Sequence, residues 1–205
     1  LMTSTAIILA GGQSSRMKYN KEWIKIKDEF LVHIQIKQLQ KLFDNIIVVT
    51  TNPDHYIDFD VTVVQDILEG SSPIIGLHSG LVHSTTEYNY CIACDMPFIN
   101  EDYITFLQKQ LSTHDAYVTK YHNFTEPFHA FYHTRIVSKI EQLVQDKEYG
   151  FQHMINTLHT HYITEMEVAP FLEKIDMFKN INTEQELFNI DHRNTKEYRT
   201  YDVLK

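Results

Sequence analysis

The sequence predicts a three-layer α/β domain, a mostly parallel sheet with helices on both faces. Three observations carry this. Short runs rich in β-branched apolar residues recur along the chain. Segments with helical spacing separate them. The runs are apolar throughout rather than alternating, as expected of strands covered on both sides. Thr5–Leu9 (TAIIL), closed by Gly11-Gly12, reads as the first buried strand. Phe30–Phe43 carries apolar residues at helical spacing, and Asn45–Thr50 (NIIVVT) is a second buried strand. Asp60–Val64 is a short third strand, Ile75–His83 a helix, and Tyr90–Ala93 a strand that stops at Cys94-Asp95. Asn100 can N-cap a helix bearing Ile104, Leu107 and Leu111, with Glu101 and Asp102 in its first turn. Asp115–Thr119 and Glu126–Tyr132 read as strands, and Pro127 predicts an edge position or a strand start for the latter. Ile136, Val137, Ile140, Leu143 and Val144 form one face of an amphipathic helix. Thr183 and Glu186 fit a capping box ahead of Leu187 and Phe188.

In such sheets ligands bind beyond the carboxyl ends of the strands. The places to search are therefore Gly11, Thr50 to Asn52, Gln65-Asp66 and Cys94-Asp95. A length of 205 residues suits one domain, and 43% apolar with 22% charged residues is ordinary for a soluble protein. A net charge of −9 argues against a nucleic-acid binder, which needs a basic face. No apolar run approaches the roughly 20 residues of a membrane span. Two cysteines make no disulfide framework, so a cytoplasmic location is expected.

The loop after the first strand reads Leu9-Ala10-Gly11-Gly12-Gln13-Ser14-Ser15-Arg16-Met17, then Asn20-Lys21. Two glycines let the backbone approach a ligand closely. Arg16, Lys18, Lys21 and Lys25 concentrate positive charge just behind them in an acidic chain. Backbone N–H groups, an arginine fork and a lysine point charge together suit a triphosphate. The loop is neither a Walker A nor a Gly-x-Gly-x-x-Gly dinucleotide turn. Past the fourth strand, Asp95 offers a lone carboxylate opposite that basic loop, and Mg²⁺ is its natural counter-cation, since it takes one or two carboxylates plus phosphate oxygens. Cys91 and Cys94 spell C-x-x-C, but residues i and i+3 of a strand face opposite sides, which excludes a redox pair.

Leu-Ala-Gly-Gly followed by Ser-Arg-Met and a lysine resembles the nucleotide signature of the sugar-nucleotide pyrophosphorylase-like nucleotidyltransferases, a Rossmann-like fold. Cys94-Asp95-Met96-Pro97-Phe98-Ile99 is the more specific element and looks like the molybdenum cofactor guanylyltransferase (MobA-type) branch. Ser72-Pro73-Ile74-Ile75-Gly76 resembles its turn into a helix, and Asn180-Ile181-Asn182-Thr183 its late Asn-x-Asn-Thr element. The departures are Lys18 and Asn20 in the loop, Ser72, Glu126 and Glu184. The resemblance implies transfer of GMP from GTP to the terminal phosphate of molybdopterin, with Mg²⁺ as cofactor. It implies that Leu9, Ala10, Gly11, Gly12, Lys21, Asn52, Asp66 and Asp95 bind the nucleotide, and Asp95 the metal. Arg16, Lys21 and Asp95 would be catalytic, and Arg16, Gly76, Asn180 and Asn182 would meet the acceptor.

On this reading residues 1–190 form one domain, with a nucleotide half at about 5–110, an acceptor half at about 111–190, and a tail at 191–205. The expected partners are GTP, molybdopterin and, transiently, cofactor-assembly proteins or acceptor apoenzymes. No nucleic acid or membrane is expected, and the chain is expected to be a monomer or a weak homo-oligomer. Two alternatives stand beside it. One is a sister enzyme using CTP on molybdopterin, or a nucleoside triphosphate on a sugar or polyol phosphate. The other is a non-catalytic nucleotide-binding regulatory module. The histidines, densest at His153, His159 and His161, have no metal-ligand spacing.

Overall fold

The computed structural model describes residues 4–11, 20–183, 186, 188 and 189. Strand β1 is Thr5–Leu9, all buried. After a 3-10 turn at Lys21–Trp23 comes a small hairpin, β2 (Lys25–Ile26) and β3 (Glu29–Phe30), whose turn residues Lys27 and Asp28 have positive φ. Helix α1 (Leu31–Leu39) precedes β4 (Asn45–Val49) and β5 (Thr62–Val64). Helix α2 (Pro73–His83) starts on a proline, whose missing N–H costs nothing in a first turn. Strand β6 is Tyr88–Ala93, and α3 (Glu101–Gln108) is capped by Asn100, whose side chain accepts from the Tyr103 N–H. Then come β7 (Ala116–Tyr121), β8 (Phe124–His133), α4 (Val137–Gln145), α5 (Phe151–Asn156), β9 (Thr160–Ile163) and α6 (Glu165–Leu172).

The seven-stranded sheet runs β5-β4-β1-β6-β8-β7-β9, with β8 antiparallel to both its neighbours and the other pairs parallel. Alternate residues of β1 serve opposite faces. Ala6 and Ile8 pack with Val32 and Ile36 of α1 and Ile104 and Leu107 of α3. Ile7 and Leu9 pack with Leu77 and Leu81 of α2 and Ile140 of α4. The expected three layers are present. Cys91 and Cys94 are free and buried in different layers, and burial pushes both thiols up, so neither is a reactive thiolate.

One expectation is corrected. Strand β8 lies inside the sheet, not at an edge, and Pro127 does not begin it. Against β7, Thr119 pairs with Glu126 and Tyr117 with Phe131, so four residues of β8 oppose Val118 alone. The pairing of β6 with β8 stops at Cys91 and Ala130. Pro127 therefore sits in a bulge where neither neighbour needs its N–H, and His129 has positive φ there. The helix expected at Phe30–Phe43 begins at Leu31 and ends at Leu39, because Phe30 closes the small hairpin.

Candidate active site

The carboxyl ends of β1, β4 and β6 meet the start of α2 around a cavity of about 470 Å³. The position is the switch point of the sheet, where β1 pairs with β4 on one side and β6 on the other. Leu9 and Val49 form apolar wall, and Gly11, Thr50, Asp66, Gly76 and Asp95 supply its polar parts. Gly76 is held small by its surroundings. A Cβ there would lie 3.2 Å from Leu9 Cδ2 and 3.8 Å from Asp66 Oδ1, narrowing the wall. Gly70, at φ +131°, turns the chain into α2, and a side chain there would meet Ile75 at 2.7 Å. Asp66 faces the cavity without a hydrogen-bond partner among the described residues, and burial raises its carboxyl above the usual range.

Asp95 is placed by the backbone around it. The Cys94 N–H donates to Leu9 O at 3.1 Å and the Met96 N–H to Ala93 O at 3.2 Å. The buried Gln35 side chain, from α1, donates to Ala93 O at 3.0 Å and Met96 O at 2.7 Å, locking the turn. Asp95 as a residue is 4% exposed. Its Oδ2 accepts from the Lys21 ammonium. Its Oδ1 is buried and has no partner among the described residues. The Asp95 carbonyl accepts from the Ile181 N–H at 2.8 Å, which draws the 180–182 segment over the site. Lys21 also donates to Asn182 Oδ1 at 3.1 Å. That segment is braced by the expected Thr183/Glu186 box. The Glu186 N–H donates to Thr183 Oγ1, and Glu186 Oε2 accepts from the Asn182 and Thr183 N–H groups.

Sequence reading missed Glu22. It is fully buried, and its carboxylate accepts from Thr50 Oγ1 at 2.6 Å, Asn52 Nδ2 at 2.6 Å and the Tyr56 hydroxyl. The available signal was a period of two. Glu22, Ile24 and Ile26 point inward while Trp23, Lys25 and Lys27 point out.

Of the residues singled out from sequence, Leu9, Gly11, Lys21, Asp66, Gly76, Asp95 and Asn180 line the cavity. Asn180 Oδ1 is buried without a partner among the described residues. Ala10 is fully buried and does not line the cavity; its N–H donates to Val49 O at 3.0 Å. Asn52 is taken up by Glu22 and does not line the cavity, and Asn182 reaches the site through Lys21. Gly12 and Arg16 lie outside the described residues, as do Glu184, Leu187 and the tail from 191 onward.

A family model described as MobA-like NTP transferase domain matches residues 6–161. The chain belongs to the MobA-like NTP transferase family. It is 37% identical over 190 residues to a probable molybdenum cofactor guanylyltransferase of Peptoclostridium acidaminophilum, covering 89% of this chain and 86% of that one. It is 36% identical over 184 residues to the molybdenum cofactor guanylyltransferase of Syntrophotalea carbinolica, covering 89% and 88%. In fold it is similar to molybdopterin-guanine dinucleotide biosynthesis protein A of Archaeoglobus fulgidus, with a TM-score of 0.78 over 91% of this chain and 96% of that one at 19% identity. The MobA-like match runs from β1 into β9, so Asn180 and Asn182 reach the site from beyond it.

Among the described residues of this MobA-like domain no three His, Cys, Asp or Glu side chains gather as a metal site. His114 and His159 stack at 4.1 Å with His161 beside them. No helix among the described residues is long and apolar enough to cross a membrane.

Proposed function

We propose that this chain transfers GMP from GTP to the terminal phosphate of molybdopterin, releasing pyrophosphate and forming the guanine dinucleotide form of the molybdenum cofactor. The observation that carries the reading is Asp95. One of its carboxylate oxygens is buried and has no partner among the described residues, beside Lys21, in the lining of the cavity that Gly11 borders just past β1. The names of the relatives at 36–37% identity supply the substrates.

A lone carboxylate suits Mg²⁺, which commonly takes one or two carboxylates and completes its shell with phosphate oxygens and water. Bound there by Asp95 Oδ1, it would neutralise charge on the α-phosphate and on the leaving pyrophosphate. The protein's own groups do the rest. The backbone at Leu9 to Gly11 borders the ribose and phosphates, and the resemblance assigns Gly12 and Arg16 to the phosphates. Lys21 turns its ammonium from Asp95 to a phosphate when the nucleotide enters. Asp66 accepts from N1–H and N2–H₂ of guanine, and this edge compensates a carboxylate that burial otherwise disfavours. Asn180 and Asn182 face the pterin edge. The phosphate monoester of the acceptor is already a nucleophile at neutral pH, so no general base is needed, and catalysis is positioning and charge stabilisation. A cytoplasmic location accompanies this reading.

The test is titration with GTP, CTP, ATP and UTP in Mg²⁺, followed through Trp23, the single tryptophan, which is 42% exposed two residues from Lys21. GTP alone should bind tightly, and Asp95→Asn should abolish Mg²⁺-dependent guanylyl transfer while leaving the fold intact. A preference for CTP or UTP would move the chain to a sister activity. Near-wild-type turnover by Asp95→Asn would remove the metal assignment.

A further inference from the structure

We infer that Glu22 is a positioning residue for the transfer, a clamp that fixes Lys21 by fastening its turn to the carboxyl end of β4. The inference rests on the guanylyl-transfer reading. Lys21 and Glu22 are adjacent in a 3-10 turn of three residues and point opposite ways, one to Asp95 and the other beneath β4. Such a turn has little stiffness of its own. Its local braces are the Asn20 side chain, which accepts from the Glu22 N–H at 3.1 Å, the Asn20 carbonyl, which accepts from the Trp23 N–H at 3.0 Å, and the Lys21 carbonyl, which accepts from the Ile24 N–H at 3.2 Å; none of them fixes the Lys21 side chain.

The Glu22 carboxylate adds three bonds from a different part of the chain. Thr50 and Tyr56 donate to one oxygen and Asn52 to the other. All three donors belong to the end of β4 and the 3-10 turn at Pro53–Tyr56. Burial, then the bond to Glu22, pushes the Tyr56 hydroxyl far above its ordinary range, so Tyr56 remains a donor. A buried carboxylate is costly unless each oxygen is satisfied, and a well-packed apolar side chain would serve stability as well or better. What the carboxylate adds is direction, because both oxygens are held and the side chain has one rotamer. Asn52 enters the same arrangement. Its amide is spent on Glu22, so it acts on the cavity through the Lys21 turn.

The test combines kinetics with a coupling measurement. Glu22→Ala should lower kcat for guanylyl transfer about 100-fold, as a displacement of about 1 Å in a catalytic group does, with KM for GTP nearly unchanged. Glu22→Gln should recover most of the rate, because the Asn52 amide can turn its oxygen toward the new NH₂ and both hydroxyls can still donate. Tyr56→Phe, which removes one donor and keeps the ring, should fall between them and guards against a Glu22→Ala protein that fails to fold. The coupling of Lys21 to Asp95 is measured by thermal melts of Lys21→Met, Asp95→Asn and the double variant, in wild-type and Tyr56→Phe or Glu22→Ala backgrounds. The coupling should shrink with Tyr56→Phe and vanish with Glu22→Ala. An unchanged coupling, or equal rates in Glu22→Ala and wild type, overturns the clamp. Wild-type protein that makes no guanylylated pterin would refute the transfer reading instead, and the melts would still decide the clamp.

Discussion

The pair between Lys21 and Asp95 makes a prediction that can be worked from exposure alone. Asp95 has 6% of its side chain accessible and Lys21 23%. Replacing Lys21 by Met keeps an apolar stem but leaves a buried carboxylate with neither oxygen partnered among the described residues. Stripping one partner from a fully buried pair costs about 3–5 kcal/mol. Lys21 is partly wet, so roughly 2 kcal/mol is the reasonable share. In a domain of this size about 1 kcal/mol moves Tm by about 2–4 °C, giving a loss of about 4–8 °C. Divalent metal should then act unequally. In wild type Mg²⁺ at Oδ1 is opposed by the ammonium on Oδ2, whereas in Lys21→Met that like-charge repulsion is gone. A site filled at about 100 times its Kd adds about 2.7 kcal/mol, enough to restore the variant. The assay is thermal melting with and without MgCl₂, against NaCl of equal ionic strength to separate binding from screening. Lys21→Met/Asp95→Asn should regain most of the lost stability, because the uncompensated charge is gone. An equal Mg²⁺ effect on wild type and Lys21→Met, or a double variant as unstable as the sum of the singles, would refute the reasoning.

Two further outcomes test the frame around the site. Gly80→Ala should destabilise the protein by about 1 kcal/mol in denaturant melts, since overpacking costs about 2 kcal/mol and the gain in helix propensity returns about 1; the new Cβ would lie 2.6 Å from Cγ2 of Ile7, a β-branched side chain that cannot swing away, and an unchanged midpoint would disprove the close packing of α2 on β1. Burial, reinforced by Asp176, pushes the Glu126 carboxyl up from 4.5 to about 7, so its contribution is fully present below pH 4.5 and is lost as pH rises through about 7. Glu126→Gln should therefore be the more stable protein at pH 8, by about 1 kcal/mol once solvent screening is allowed for, with the advantage gone near pH 4.5; a difference independent of pH would disprove it.

How much was legible in the sequence follows from how local each signal is. Strands β1, β4 and β6 were readable because each is covered on both faces and is mostly apolar, so the run itself is the signal. Knowing those ends, the switch-point rule located the cavity and with it Gly11, Asp66 and Asp95. The region from 146 to 180 was poorly legible. Helix α5 has six residues and two buried side chains, too few turns to show a period. Strand β9 is an edge strand of mixed polarity, and α6 contains Pro170, which argues against a helix although its Thr164/Glu167 capping box was there to be read. Pro127 misled for a different reason. Whether a strand needs an N–H depends on the register of its neighbours, and the shift opposite Val118 exists only between strands.

Glu22 combines both difficulties. In sequence it interrupts a basic stretch and reads as solvated charge between Lys21 and Lys25. Its meaning lies in Thr50, Asn52 and Tyr56, 28 to 34 residues away, which only the packing of the turn against β4 brings to it. Lys21 and Asp95, the residues proposed to carry the chemistry, could be singled out because a phosphate or a metal constrains residue type directly. The group that aims them was not, because many residue types can hold a turn and only the three-dimensional set of donors selects a carboxylate. Burial of a charged side chain next to a proposed catalytic one, with every oxygen satisfied from another element, is therefore the structural sign by which such a positioning residue is sought.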